Sequence, residues 1–219
     1  MESYAIVRIP FSKLIQSKEP ISTCILRPST CRTIKNTPGF FTPPAPVNPT
    51  DVVFTTNTSK MGLGLFSKRS VNVNEVIFSE RPLLIFPQGL PLQVDGHLSE
   101  EELFKRYESL FEDTLQKALR VMTKEDVDEY MGLANCLPNS APIHGIARTN
   151  AFDVGDGIEE ENLQEGKVPY GVVGRLASRI NHEYVVWSFF FFQVLANGVL
   201  LAARQTYTWS STSQPSVFR

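Results

Sequence analysis

The sequence predicts an α+β fold. Two observations predict it. Short β-prone runs crowd residues 51–87, and from Ser99 the apolar period changes from that of strands to that of a helix. A third bounds the class: the chain has 219 residues, 42% hydrophobic and 20% charged, a globular balance.

Residues 1–50 end in the Pro-rich stretch Thr37 to Pro46. Proline removes backbone donors and fixes φ, so residues 1–50 are expected to form a flexible, extended N-terminal segment, with a boundary near Asp51. Four β-prone runs follow: Val52–Phe54, Leu63–Phe66, Val76–Phe78 and Leu83–Phe86. Val71-Asn72-Val73-Asn74 supplies a turn, because Asn tolerates the left-handed conformation.

Ser99 followed by Glu102 is a capping box. Leu103, Phe104, Tyr107, Leu110, Phe111, Leu115, Leu119 and Met122 then recur at helical spacing. Thr123 with Asp126 opens a second helix carrying Val127, Tyr130, Met131 and Ala134. Pro138 and Pro142 are expected to end that region. The helical stripes are packing faces against a sheet. Residues 155–170 are Gly- and Glu-rich and read as a solvated loop.

Net charge is −2, so no global basic character favours nucleic acid or an anionic membrane. Cys24, Cys31 and Cys136 are odd in number and lack metal-ligand spacing. Free thiols are expected, with neither a disulfide framework nor a cysteine-built zinc site. The first apolar run, Tyr4 to Ile9, is too short for a secretory leader. His97 and His144 are expected in loops as surface or packing residues. Nucleotide-binding P-loop, G-x-S-x-G and H-E-x-x-H motifs are all missing.

The order of segments carries more information than any single residue. Lys60-Met61-Gly62-Leu63-Gly64-Leu65-Phe66-Ser67 is followed by Asn74-Glu75-Val76-Ile77-Phe78 and then by Glu80-Arg81-Pro82-Leu83. Later come Arg148-Thr149-Asn150-Ala151-Phe152 and Ser178-Arg179-Ile180-Asn181-His182. This series resembles the SET domain of protein-lysine methyltransferases, and most of all the fungal SET/MYND-type group, without its zinc-binding cysteines. The resemblance implies small β-sheets of the β-clip kind over a partial SET domain, residues 51–182, with a helical insert at about 99–135. It implies S-adenosylmethionine as methyl donor and a lysine of a protein substrate, such as a histone, as acceptor. It implies a cytoplasmic or nuclear location and no direct contact with nucleic acid. By the same resemblance Gly62, Gly64 and Leu65 would line the methionine end of the donor. Asn150 would meet its polar end, and Ser178, Arg179, Asn181 and His182 would wall the adenine and ribose.

The likeness breaks after His182. The family continues Ser-Cys-x-Pro-Asn and later reaches a catalytic tyrosine. Here Glu183 to Gln193 reads differently, and Tyr207 lies in a Thr/Ser-rich tail. No catalytic residue is assigned, and methyl transfer is expected to be impaired. Three readings of residues 183–219 stand open. Codons for Glu183-Tyr184-Val185 and for Ser188 to Gln193 can spell the two ends of a short retained intron. Residues 185–203 also approach the length that spans a bilayer as a helix, about 20 residues. The four consecutive phenylalanines also fit a sticky, strand-forming extension.

Overall fold

The computed structural model describes residues 4–9, 21–36, 49–58, 62–72, 75–93, 96–153, 169–180, 189–195 and 198–204. The Pro-rich stretch, the Gly/Glu-rich loop up to residue 168, and Asn181 and His182 lie outside these. The described elements run, in chain order, β1 (Ala5–Ile9), β2 (Ser22–Leu26), α1 (Pro28–Asn36), α2 (Pro49–Val52), β3 (Val53–Thr58), β4 (Gly62–Ser67) and β5 (Val76–Glu80). Then come β6 (Leu84–Pro87), α3 (Glu100–Leu119), α4 (Lys124–Met131), α5 (Pro142–Asn150), β7 (Phe152–Asp153) and β8 (Tyr170–Val173). A 3-10 turn (Ala177–Arg179) precedes β9 (Phe189–Leu195) and β10 (Gly198–Arg204). The architecture is a mixed α+β arrangement.

The chain divides into two compact units, each made of two separated stretches: residues 1–36 with 82–173, and residues 37–81 with 174–219. This division cuts across the contiguous 51–182 segment read from the sequence.

The first unit is built on a five-stranded sheet ordered β1-β2-β6-β8-β7. β2 and β6 run parallel and the other pairs antiparallel. β1, β2 and α1 overturn the expectation of a flexible segment over residues 1–50. All five residues of Ser22–Leu26 are buried. The strand is sheltered by β6, sixty residues away in sequence, with Thr23 opposite Leu84 and Cys24 opposite Ile85. That pairing satisfies the backbone of a segment whose own composition carries little strand signal.

The helices cover this sheet through one apolar core. Ile25, Leu84, Phe86 and Val173 from the strands meet Phe111, Leu115 and Leu119 of α3, Tyr130 of α4, and Ile143, Ile146 and Ala147 of α5. Phe111 sits at the centre. Its ring meets Phe86 edge-on at 6.1 Å between centroids and lies against Tyr107 at 5.3 Å. Truncating such a side chain typically costs about 3–5 kcal/mol.

The caps of α3 and α4 follow the sequence. Ser99 Oγ accepts from the Glu102 N–H at 3.3 Å, and Glu102 Oε2 accepts from the Ser99 N–H at 2.9 Å. Thr123 Oγ1 accepts from the Asp126 N–H at 3.2 Å. α5 was not expected. Pro138 and Pro142 were read as terminators, but Pro142 opens the helix, where a missing N–H costs nothing.

The second unit holds the β3–β4 hairpin, paired from Val53↔Ser67 to Thr58↔Gly62, and a three-stranded sheet ordered β5-β10-β9. β10 pairs with β5, Val199 opposite Glu80 and Leu201 opposite Phe78. It also pairs with β9, from Gly198↔Leu195 to Arg204↔Phe189. The apolar run at 185–203 is thus a strand hairpin where it is described. Among the described residues no helix is long and apolar enough to cross a membrane. An uninterrupted apolar run does not by itself distinguish a helix from buried strands.

Candidate functional site

Gly62 opens β4 with φ of +70°, a backbone conformation that glycine adopts without strain. A Cβ placed on it would meet no atom of the described residues within 4 Å. Its carbonyl accepts from Thr58 Oγ1 at 2.9 Å, which pins the hairpin mouth. Gly64 pairs with Thr56 and Leu65 with Thr55. Gly64 and Leu65 are both buried, and Leu65 anchors β4 in the core. Among the described residues β4 pairs only with β3 and packs on the 3-10 turn Ala177–Arg179.

That turn is held by Glu80, the last residue of β5. Glu80 Oε2 accepts from the N–H groups of Arg175 at 3.1 Å and Leu176 at 2.9 Å. Oε1 accepts from Ala177 at 2.9 Å and from Leu176 at 3.2 Å. Three successive N–H groups on one carboxylate form an anion nest filled by the protein's own side chain. Burial pushes the Glu80 carboxyl up, and the three N–H groups with the Arg175 charge pull it back. Arg175 Nη1 also donates to the Arg81 carbonyl at 3.1 Å. Ser178 Oγ accepts from the Gly174 N–H at 3.1 Å and closes the loop on itself. Arg179 ends the turn.

The loop before β5 is closed by a carboxylate as well. Glu75 Oε2 accepts from the Asn72 N–H at 3.0 Å, and Glu75 pairs with Arg69. The Arg69 contact, with the Asn72 N–H, holds the Glu75 carboxyl down to about 2.

Asn150 belongs to the first unit. It ends α5 and is buried, and its amide group donates to the carbonyls of Ala134 at 2.7 Å and Ile146 at 2.8 Å. These bonds tie α5 to the chain leaving α4. His144, expected in a loop, is buried on α5. Its ring stacks on Phe111 at 4.7 Å, and its Nδ1 stands 3.9 Å from Glu108 Oε1. Both atoms are buried and find no hydrogen-bond partner among the described residues. Burial first, then the Arg148 charge, push the imidazole down, against the pull of Glu108 and Glu112.

Of the residues singled out in the sequence, Gly62, Gly64, Leu65, Ser178 and Arg179 share the second unit, on β4 and the turn packed on it. Asn150 lies in the other unit, and Asn181 and His182 lie outside the described residues.

No protein-family model, curated protein or solved structure matches the chain.

Sequence reasoning missed Glu80 as an anchor. The acidic residue before Pro82 was noted as part of a pattern, but its partners lie 95 to 97 residues downstream. It missed Glu112 for the same reason. That carboxylate accepts from the N–H groups of Ile143 at 3.1 Å and His144 at 2.8 Å, capping α5 from α3. None of the three cysteines is in a disulfide; Cys24 and Cys31 are buried and Cys136 is exposed. Among the described residues no group of three His, Cys, Asp or Glu side chains is placed to hold a metal ion.

Proposed function

We propose that the chain is a SET-domain protein whose second unit binds S-adenosylmethionine, with transfer of the methyl group to a protein lysine impaired as the sequence stands. One observation carries the reading. Gly62, at positive φ and with no described residue within 4 Å of a Cβ placed there, begins a strand that packs on the turn bearing Ser178 and Arg179.

The donor fits this arrangement on chemical grounds. A backbone without a Cβ admits close approach of a polar group. When bound, S-adenosylmethionine supplies an electrophilic methyl group for a neutral amine. The residues of this chain have simpler tasks. Gly62 leaves room for the methionine end, with Gly64 two residues further along β4, and the buried Leu65 anchors the strand in the core. Ser178 and Arg179 border the nucleoside end, with Asn181 and His182 following in sequence. Asn150 supports α5 through its bonds to Ala134 and Ile146.

The proposed impairment rests on residues 183–193, which depart from the Ser-Cys-x-Pro-Asn that continues the Asn-His motif in the family. Transfer in line needs the amine, methyl and sulfur held in register, and alignment of this kind supplies a large part of such rate enhancements. Photocrosslinking with methyl-labelled S-adenosylmethionine tests the reading. Label in peptides containing Gly62–Leu65 or Ser178–Arg179 is expected, with little label passing to histone peptides. Label spread evenly over the chain contradicts it.

A second reading, a non-catalytic interaction protein using the helical insert, is favoured by the exposure of Phe104 (55%) on α3 and Met131 (44%) on α4. It predicts retention of partner proteins by the chain with no affinity for the methyl donor.

A further inference from the structure

We propose that Glu80 is the positioning residue of the proposed donor site: its carboxylate, gripped by the N–H groups of Arg175, Leu176 and Ala177, sets Ser178 and Arg179 against β4, and affinity for S-adenosylmethionine depends on it. The inference rests on the methyl-donor reading above.

The turn at 175–179 is closed locally by its own bonds. Its internal closures are short-range: Arg179 N–H to the Leu176 carbonyl at 2.9 Å, Ile180 N–H to Ala177 at 3.0 Å, and Gly174 N–H to Ser178 Oγ. None of these sets where the turn sits relative to β4 or β5. Glu80 does. Both of its oxygens are used, on three consecutive residues, from the end of β5. β5 in turn is fixed along its length by β10, with Val199 opposite Glu80 itself. The tether is doubled by the Arg175 guanidinium on the Arg81 carbonyl.

The chemistry of the clasp demands a carboxylate. Three donors converge on it, and only two acceptor oxygens on one planar group meet them together. A glutamine offers one acceptor and turns an NH2 group toward the remaining donors. An aspartate keeps the charge but is one methylene short. Gly174 is part of the same design, since a Cβ there would stand 2.2 Å from Glu80 Oε1 and 2.9 Å from the Ala177 Cβ. Glu80 touches no reacting atom in this account. It acts through the turn.

The test is calorimetric titration of S-adenosylmethionine into the full chain, as wild type, Glu80→Gln and Glu80→Asp, from pH 5 to pH 7. Hydrogen exchange at the amides of 175–177 and circular dichroism accompany each titration. Wild type is expected to bind, and Glu80→Gln to bind about tenfold more weakly, the loss expected when a clasp of charged hydrogen bonds goes. Its 175–177 amides exchange faster while its circular dichroism is unchanged. Wild-type affinity falls more steeply than Glu80→Gln affinity as the pH drops, because only the wild type has the Glu80 carboxylate to protonate. A role confined to folding would not produce that difference in pH profile. Should Glu80→Gln fail to fold, Glu80→Asp carries the test with an intermediate loss. Affinities within twofold of wild type, for whichever variant folds, overturn the positioning role and leave the donor reading standing. A wild type that binds nothing overturns both.

Discussion

Glu80 lies across Gly174, so closely that a Cβ on the glycine would stand 2.2 Å from Glu80 Oε1. The carboxylate and the glycine are therefore one feature, separated by more than ninety residues of chain. Gly174→Ala must push the carboxylate off at least part of its nest and strand buried N–H groups. The expected loss is about 2–4 kcal/mol in the second unit, the cost of one or two buried unsatisfied donors. Urea unfolding followed by exchange at Leu176 and Ala177 checks it. Unchanged protection of those amides counts against the clasp.

Glu112 caps a helix it does not belong to. The N-cap residue of α5, Ala141, provides no side-chain cap, and Glu112 of α3 accepts from the N–H groups of Ile143 and His144. Glu112→Ala is expected to cost about 1–2 kcal/mol, the usual worth of an N-cap. Glu112→Gln should cost less, since one acceptor oxygen remains. Chemical denaturation read through far-ultraviolet circular dichroism measures both.

His144 makes the first unit sensitive to acid. The folded state holds the imidazole below its ordinary value of 6.5. It therefore binds fewer protons than the unfolded chain as the pH falls through that value. Stability from this group is complete above 6.5 and is lost between there and the lowered folded value. His144→Phe keeps an aromatic ring against Phe111 and removes the titration. Its unfolding midpoint should change less than that of wild type between pH 7.5 and pH 5. Equal slopes for the two proteins would exclude His144 as the source.

β10 is the central strand of its sheet, so both of its backbone edges are engaged, by β5 and by β9. Its amides should exchange more slowly than those of β9. Leu200→Pro removes a ladder donor from a central strand and should abolish this protection. Equal exchange across Phe189–Arg204 in wild type would argue that this hairpin does not form in solution.

The elements legible in the sequence are those whose signal is local. The capping box at Ser99 and the cap at Thr123 mark α3 and α4 correctly because donor and acceptor lie three residues apart. The β-prone runs foreshadow β3 to β6 because alternating and clustered apolar residues suffice there. β2 was missed because a distant parallel partner shelters it. α5 was missed because its N-terminus is capped from another helix and its first residue is a proline. The hairpin of β9 and β10 lies in a run for which the sequence leaves open a retained intron, a bilayer-spanning helix and a strand-forming extension, because uniform apolarity does not separate helix from strand. Within the candidate site, the glycines of β4 were legible as a pattern. The clasp that holds the turn against them was not, since Glu80 and Ala177 meet only in the folded chain.

Calorimetric titration of S-adenosylmethionine into the wild-type chain at neutral pH tests the central claim most directly. The account predicts saturable binding at one site per chain, weakened when Gly62 is replaced by valine, a residue strained at φ +70°. The absence of binding heat over a range of temperatures, from a chain shown to be folded, would contradict it.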